Sequence, residues 1–162
     1  MVCVSKRRMG LLLAVTGVLA VTGRLAAADD PPVSGVYKAN GQEAKLAYVS
    51  TSKGEPFADK PTIVMVFTEK DHSKDKKPDV GAMFGKYGSA LIMKVYEDGQ
   101  IVGCQVAHTG LKKGGFSSVG TIKMSDFKLE NGKIHGKLST GGEDKVFGET
   151  WQVDIKFQAP MP

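Results

Sequence analysis

The side chains here whose type and placement most invite chemistry are one cysteine, three histidines and a scatter of methionines. Cys104 and His108 stand four residues apart, and the only other thiol is Cys3 near the N-terminus. A thiol beside an imidazole can serve as a nucleophile, a redox centre or a pair of soft-metal ligands. The local pattern limits that idea. Residues 101–108 read as a strand, so Cys104 and His108 point the same way but sit about 13 Å apart at about 3.3 Å per residue. Two donors on one ion must each come within about 2.0–2.3 Å of it. A straight strand forbids this; a bend at Ala107 would permit it. Cys104 also alternates in phase with Val102 and Val106. Unpaired cysteine on such a face behaves as a small hydrophobe, so packing is the expected role.

His72 falls in a charged loop, and His135 follows a turn and reads as a surface strand residue. Cys104, His108 and His72, joined across strands by a methionine such as Met93, would suit copper or zinc. That set is kept as an alternative, with no ligand assigned. Other motifs fail on spacing. Gly115-Phe-Ser117-Ser118-Val-Gly120 misses the Gly-x-Ser-x-Gly elbow by one residue and lacks its strand–turn–helix setting. Gly110–Gly115, with Lys112 and Lys113, could form an anion-binding nest but has neither Walker spacing nor a following helix, so it reads as a flexible connection. Asp126 and Asp154 fall in the polar phase of their strands, so neither reads as the general acid of a carboxylate pair. No catalytic residue or cofactor site is assigned.

The elements that must position these residues begin after a leader. Residues 1–28 have a basic head (Lys6, Arg7, Arg8), an apolar run and an Ala26-x-Ala28 end. This is the three-part pattern of a cleaved secretory signal. The run is short for a membrane span, which needs about 20 apolar residues. Of 22 basic residues, 18 remain after residue 28, all lysine, against 17 acids. Without arginine and nearly neutral, residues 29–162 are a poor fit to nucleic acid. With Cys104 the single remaining thiol, no intramolecular disulfide forms despite an oxidising destination in the periplasm or outside the cell.

Residues 29–162 are expected to form one domain. Asn40-Gly41, Asp98-Gly99 and Asn131-Gly132 each separate two strand-like runs, as hairpin turns require. Strands are expected at 34–39, 43–50, 61–68, 89–96, 101–108, 117–124, 125–130, 133–139 and 149–158. In the last, Trp151, Val153, Ile155 and Phe157 alternate with polar residues. Residues 61–68 and 89–96 are apolar on both faces and read as central strands, covered by a second sheet and a short helix. The helix candidate is 79–87, capped by Asp79 and weakened by Gly81 and Gly85.

The expected fold is mostly β: an antiparallel β-sandwich or small β-barrel with at most one short helix. The expected function is that of a non-catalytic binding or structural module of the cell envelope, meeting an envelope ligand or protein. The two-faced apolar strands also raise homo-oligomerisation. The alternatives are a periplasmic copper- or zinc-binding protein and an enzyme with a dispersed active site.

Overall fold

The structure, a computed structural model, describes residues 31–162. The leader expected over 1–28 lies outside the described residues. Eleven strands form two antiparallel sheets among them, with one short helix. The first sheet runs in the order β2 (Gln42–Ala44), β1 (Val33–Ala39), β11 (Glu149–Pro160), β9 (Lys133–Ser139), β8 (Lys123–Glu130). β10 (Asp144–Val146) pairs with the start of β11. The second sheet is a meander of β3 (Tyr48–Phe57), β4 (Lys60–Thr68), β5 (Ala90–Tyr96), β6 (Ile101–Ala107) and β7 (Phe116–Ser117). The sheets stack as a sandwich and do not close into a barrel.

The main core lies between them. Tyr37, Leu138, Trp151, Val153 and Ile155 face it from the first sheet. Met65, Phe67, Leu91, Met93, Cys104 and Val106 face it from the second. Burying each of the larger aliphatic side chains is worth about 2 kcal/mol. The alternation along 149–158 is borne out: Trp151, Val153, Ile155 and Phe157 are buried, while Asp154 and Lys156 are exposed.

Strands β4 and β5 are central and apolar on both faces, as expected. The outer face of β4, β5 and β6 carries a second, smaller core of Val66, Ala90, Ile92 and Ala107, covered by Ala82 and Tyr87. Ala82 belongs to α1 (Pro78–Met83). The helix is shorter than the expected 79–87. Pro78 begins it, Lys77 flanks it with no side-chain cap, and Asp79 sits in the first turn instead of capping. Proline suits this start because its ring presets φ and its missing N–H would be unpaired there anyway. Gly85 (φ 73°) ends the helix in the left-handed region, as C-terminal glycines do.

Two expected strands are corrected. The run 43–50 is two strands in different sheets, β2 and β3. Between them Leu46 tucks into the core and Ala47 N–H donates to Thr68 O at 2.9 Å. Likewise 117–124 is the end of β7 and the start of β8, with Ile122 buried at the crossing. In both places apolar alternation continues while the chain changes sheets.

Candidate functional site

A cleft of about 530 Å³ opens on the outer face of the second sheet, lined by Asp71, His72, Lys74, Asp75, Lys86 and Tyr87. It forms because the charged segment after β4 folds back over the sheet toward the residues that follow α1. The segment is ordered by its own polar side chains. Asp71 Oδ1 accepts Ser73 N–H at 2.8 Å, and Asp75 Oδ1 accepts Lys77 N–H at 3.0 Å. Such Asx turns substitute a carboxylate for a backbone acceptor. Asp75 Oδ2 receives Lys86 Nζ at 2.8 Å and a short hydrogen bond from the Tyr87 hydroxyl. Bonds from Lys86, Tyr87 and the Lys77 amide hold the Asp75 carboxyl well below the ordinary carboxylate range. The same contacts with Asp75 raise the pKa of both Lys86 and Tyr87.

His72 is the floor of this cleft and is buried, 4% exposed. Its ring bonds on both sides: Nδ1 lies 2.6 Å from Thr68 Oγ1, and Nε2 lies 2.7 Å from Ser50 Oγ. Ser50 and Thr68 share one face of the β3–β4 pair, since Ser50 opposes Val66 and Thr68 is two residues further on. Proton bookkeeping orients the ring. The Thr68 hydroxyl gives its single proton to Lys70 O at 2.7 Å. Its oxygen must then accept from His72 Nδ1–H, which leaves Nε2 as the lone-pair side facing the Ser50 hydroxyl. Burial pushes the His72 pKa below 6.5, opposed by Asp71 and Asp75. The imidazole is therefore neutral at pH 7.

A hydrogen-bonded path joins this region to the next loop. Glu69 Oε2 accepts Ser89 N–H at 2.5 Å, and Ser89 Oγ accepts Thr109 N–H at 3.1 Å. Beyond Thr109, the glycine-rich segment does form a nest, and the chain fills it with its own anion. Glu149 Oε1 accepts Lys113 N–H at 2.7 Å; Oε2 accepts Lys112 N–H at 3.0 Å and Asn40 Nδ2–H at 3.2 Å. Burial acts to raise the Glu149 pKa, but these donors outweigh it and the net shift is downward. Beside it, Phe116, Val146 and Phe147 line a groove of about 340 Å³.

The structure disperses the candidate metal donors. Cys104 is 1% exposed and lies opposite Met93 on the inner face, and burial pushes its thiol up to about 12. His108 is just past β6, packed edge-on against Tyr37 at 4.9 Å, with Nδ1 accepting Gly110 N–H at 2.9 Å. His72 is on the opposite face of the second sheet from Cys104. His135 is half-buried on β9. Among the described residues, no three His, Cys, Asp or Glu side chains converge as metal ligands. Ser117 is engaged in holding β7 to β6, its hydroxyl donating to Cys104 O at 3.0 Å. The sequence reading missed Ser50, Thr68, Tyr87 and Glu149. Ser50 precedes His72 by 22 residues, so no local motif marks the pair; Asn40 and Glu149 are separated by 109.

No family model, curated protein or solved structure significantly matches this chain. Among the described residues, no helix is long and apolar enough to cross a membrane.

Proposed function

We propose that this protein is an exported binding module of the cell envelope and that the His72 cleft is its ligand site. The observation that carries this reading is the preorganised lining. Asp75 is locked by three donors and His72 by two hydroxyl groups, so little side-chain entropy remains to be lost on binding. Two carboxylates (Asp71, Asp75) balance two ammonium groups (Lys74, Lys86) around the mouth. That balance favours an uncharged or zwitterionic polar ligand over a simple anion or cation. Glycan and short peptide fragments of the envelope meet this description. The leader pattern in residues 1–28 supports an envelope location.

The test is an amide-resolved NMR titration with soluble peptidoglycan and polysaccharide fragments. Binding at this site perturbs residues 70–75 and 84–88 and weakens in Lys86→Ala. Perturbation centred on the Phe147 groove, or no perturbation by any fragment, overturns the assignment.

A further inference from the structure

We infer that Ser50, on the edge strand beside the cleft and bonded to its His72, is a nucleophile activated by that histidine and oriented through Thr68, which gives this face of the sheet acyl-transfer chemistry toward small uncharged esters. This rests on the cleft being the functional site and goes beyond its role as a binder. Three observations converge on it. First, the base faces the nucleophile: Nε2 lies 2.7 Å from Ser50 Oγ, and the proton count at Thr68 assigns the lone pair to that side. Second, a third group sets the tautomer. Thr68 can only accept from Nδ1–H, because its own proton goes to Lys70 O. A nucleophile, a base and a group that orients the base are the general requirements of an activated serine. Third, Ser50 is half-buried on an edge strand, and among the described residues His72 Nε2 is the one side-chain partner of its hydroxyl. Its lone pairs are thus free to meet an incoming carbonyl carbon.

The same histidine could serve only to pin the loop onto β3 and β4. A pin would work with either ring polarity and with a fully covered serine. Here the polarity is the one that extracts a proton from Ser50, and the serine retains solvent access. Thr68 is a positioning residue; Ser50 and His72 are the catalytic residues.

The chemistry balances without any redox partner. Ser50 Oγ bonds to the carbonyl carbon of the ester while its proton passes to His72 Nε2. The tetrahedral adduct collapses, the bond to the leaving oxygen breaks, and that oxygen takes the proton from Nε2 and departs as an alcohol. Water then attacks the acyl-serine, giving its proton to Nε2. The carboxylic acid leaves as Ser50 Oγ recovers that proton. The imidazolium formed on the way faces the Asp71 and Asp75 carboxylates; Lys74 and Lys86 also line the cleft, as does the Tyr87 phenol. Equal numbers of carboxylates and ammonium groups argue for a neutral ester.

The experiment treats the full chain with a fluorophosphonate probe and, separately, with 4-nitrophenyl acetate. The expected result is one phosphonyl group per chain, mapped to the peptide carrying Ser50. Labelling should rise with pH and reach its plateau by about the ordinary imidazole value near 6.5. Ser50→Ala, confirmed as folded by circular dichroism, should lose the label. His72→Gln should slow labelling by about a hundredfold or more. Thr68→Val should slow it and shift its pH profile, and Thr68→Ser should restore both, a pattern that a purely structural role would not produce. No labelling of the native chain, labelling at another residue, or equal rates in wild type and His72→Gln would overturn the proposal. Fragments that still perturb residues 70–75 in the NMR titration, with Ser50 unlabelled, would refute the acyl chemistry and leave the binding site standing.

Discussion

Cys104 should be nearly inert in the folded chain, and the size of the effect follows from its surroundings. The thiol lies between Val106 and Ile101 along β6 and across from Met93, 1% exposed. Burial moves its pKa from 9.0 to about 12, with the Ser118 amide pulling weakly the other way. Only the thiolate reacts, so three units mean about a thousandfold less reactive species at neutral to mildly alkaline pH. At pH 8 about one molecule in ten thousand would carry the thiolate, against about one in ten for the unperturbed group. Steric exclusion slows the reagent further. The assay is the reaction of excess Ellman's reagent at pH 8, with and without denaturing urea. In urea one thiol of the chain from residue 29 onward should react at the rate of a free peptide cysteine. Without urea the rate should be at least about a thousandfold lower and should track global unfolding. A native rate within tenfold of the unfolded rate would refute the burial argument. It would also reopen Cys104 as a metal ligand, because thiolate ligation requires the same deprotonation.

Three further outcomes are expected. Glu149→Gln should lower the melting temperature at pH 7 and loosen residues 110–115 in hydrogen exchange. A depressed carboxylate pKa adds stability above the unfolded value of 4.5 and loses it as pH falls through the lower folded value. The gap between wild type and variant should therefore close under acid. Burial depresses both His72 and His108, so their contribution to stability is full above pH 6.5 and is lost as pH falls through their folded pKa values; in urea titrations His72→Gln and His108→Gln should each flatten that loss. Phe147 is 74% exposed and held at φ 53° before Gly148 (φ 80°). Phe147→Asn should raise stability by about 0.5–1 kcal/mol in chemical denaturation, since asparagine tolerates this turn conformation better.

The turns show how much was legible in the sequence. Asn40-Gly41 and Asn131-Gly132 both carry two positive φ angles, 48° and 77°, then 52° and 72°. They are the tight hairpin turns their composition announces. The same backbone geometry recurs at Ala58-Asp59 (47°, 60°) and Phe147-Gly148 (53°, 80°). Alanine and phenylalanine give no turn signal, so the β3–β4 reversal and the β10–β11 hairpin were invisible. The outer half of β3, Thr51–Phe57, was missed for a related reason. An exposed edge strand buries little, so it leaves no period-two apolar pattern. The crossings at Leu46 and Ile122 were hidden by the opposite effect, because alternation runs through them unbroken.

The site was less readable than the fold. Periodicity reports which side chains meet the core, and Cys104 was placed correctly on that basis. It carries no information about diagonal neighbours on an outer face. Ser50 and Thr68 become partners through β3–β4 register, and His72 reaches both because the loop folds back. The Gly110–Gly115 segment reads by composition as a flexible connection, with an anion-binding nest as the lesser possibility, and the structure shows the nest. Its occupant, Glu149, comes from the far end of the chain and could be identified only in three dimensions.

The protonation pattern of His72 is the assignment on which the chemistry inferred for Ser50 depends. Long-range proton–nitrogen correlation of the imidazole at pH 7 reads it directly. A neutral ring with the proton on Nδ1 and a hydrogen-bonded lone pair on Nε2 is expected. A ring protonated on Nε2, or an imidazolium at that pH, would contradict that assignment.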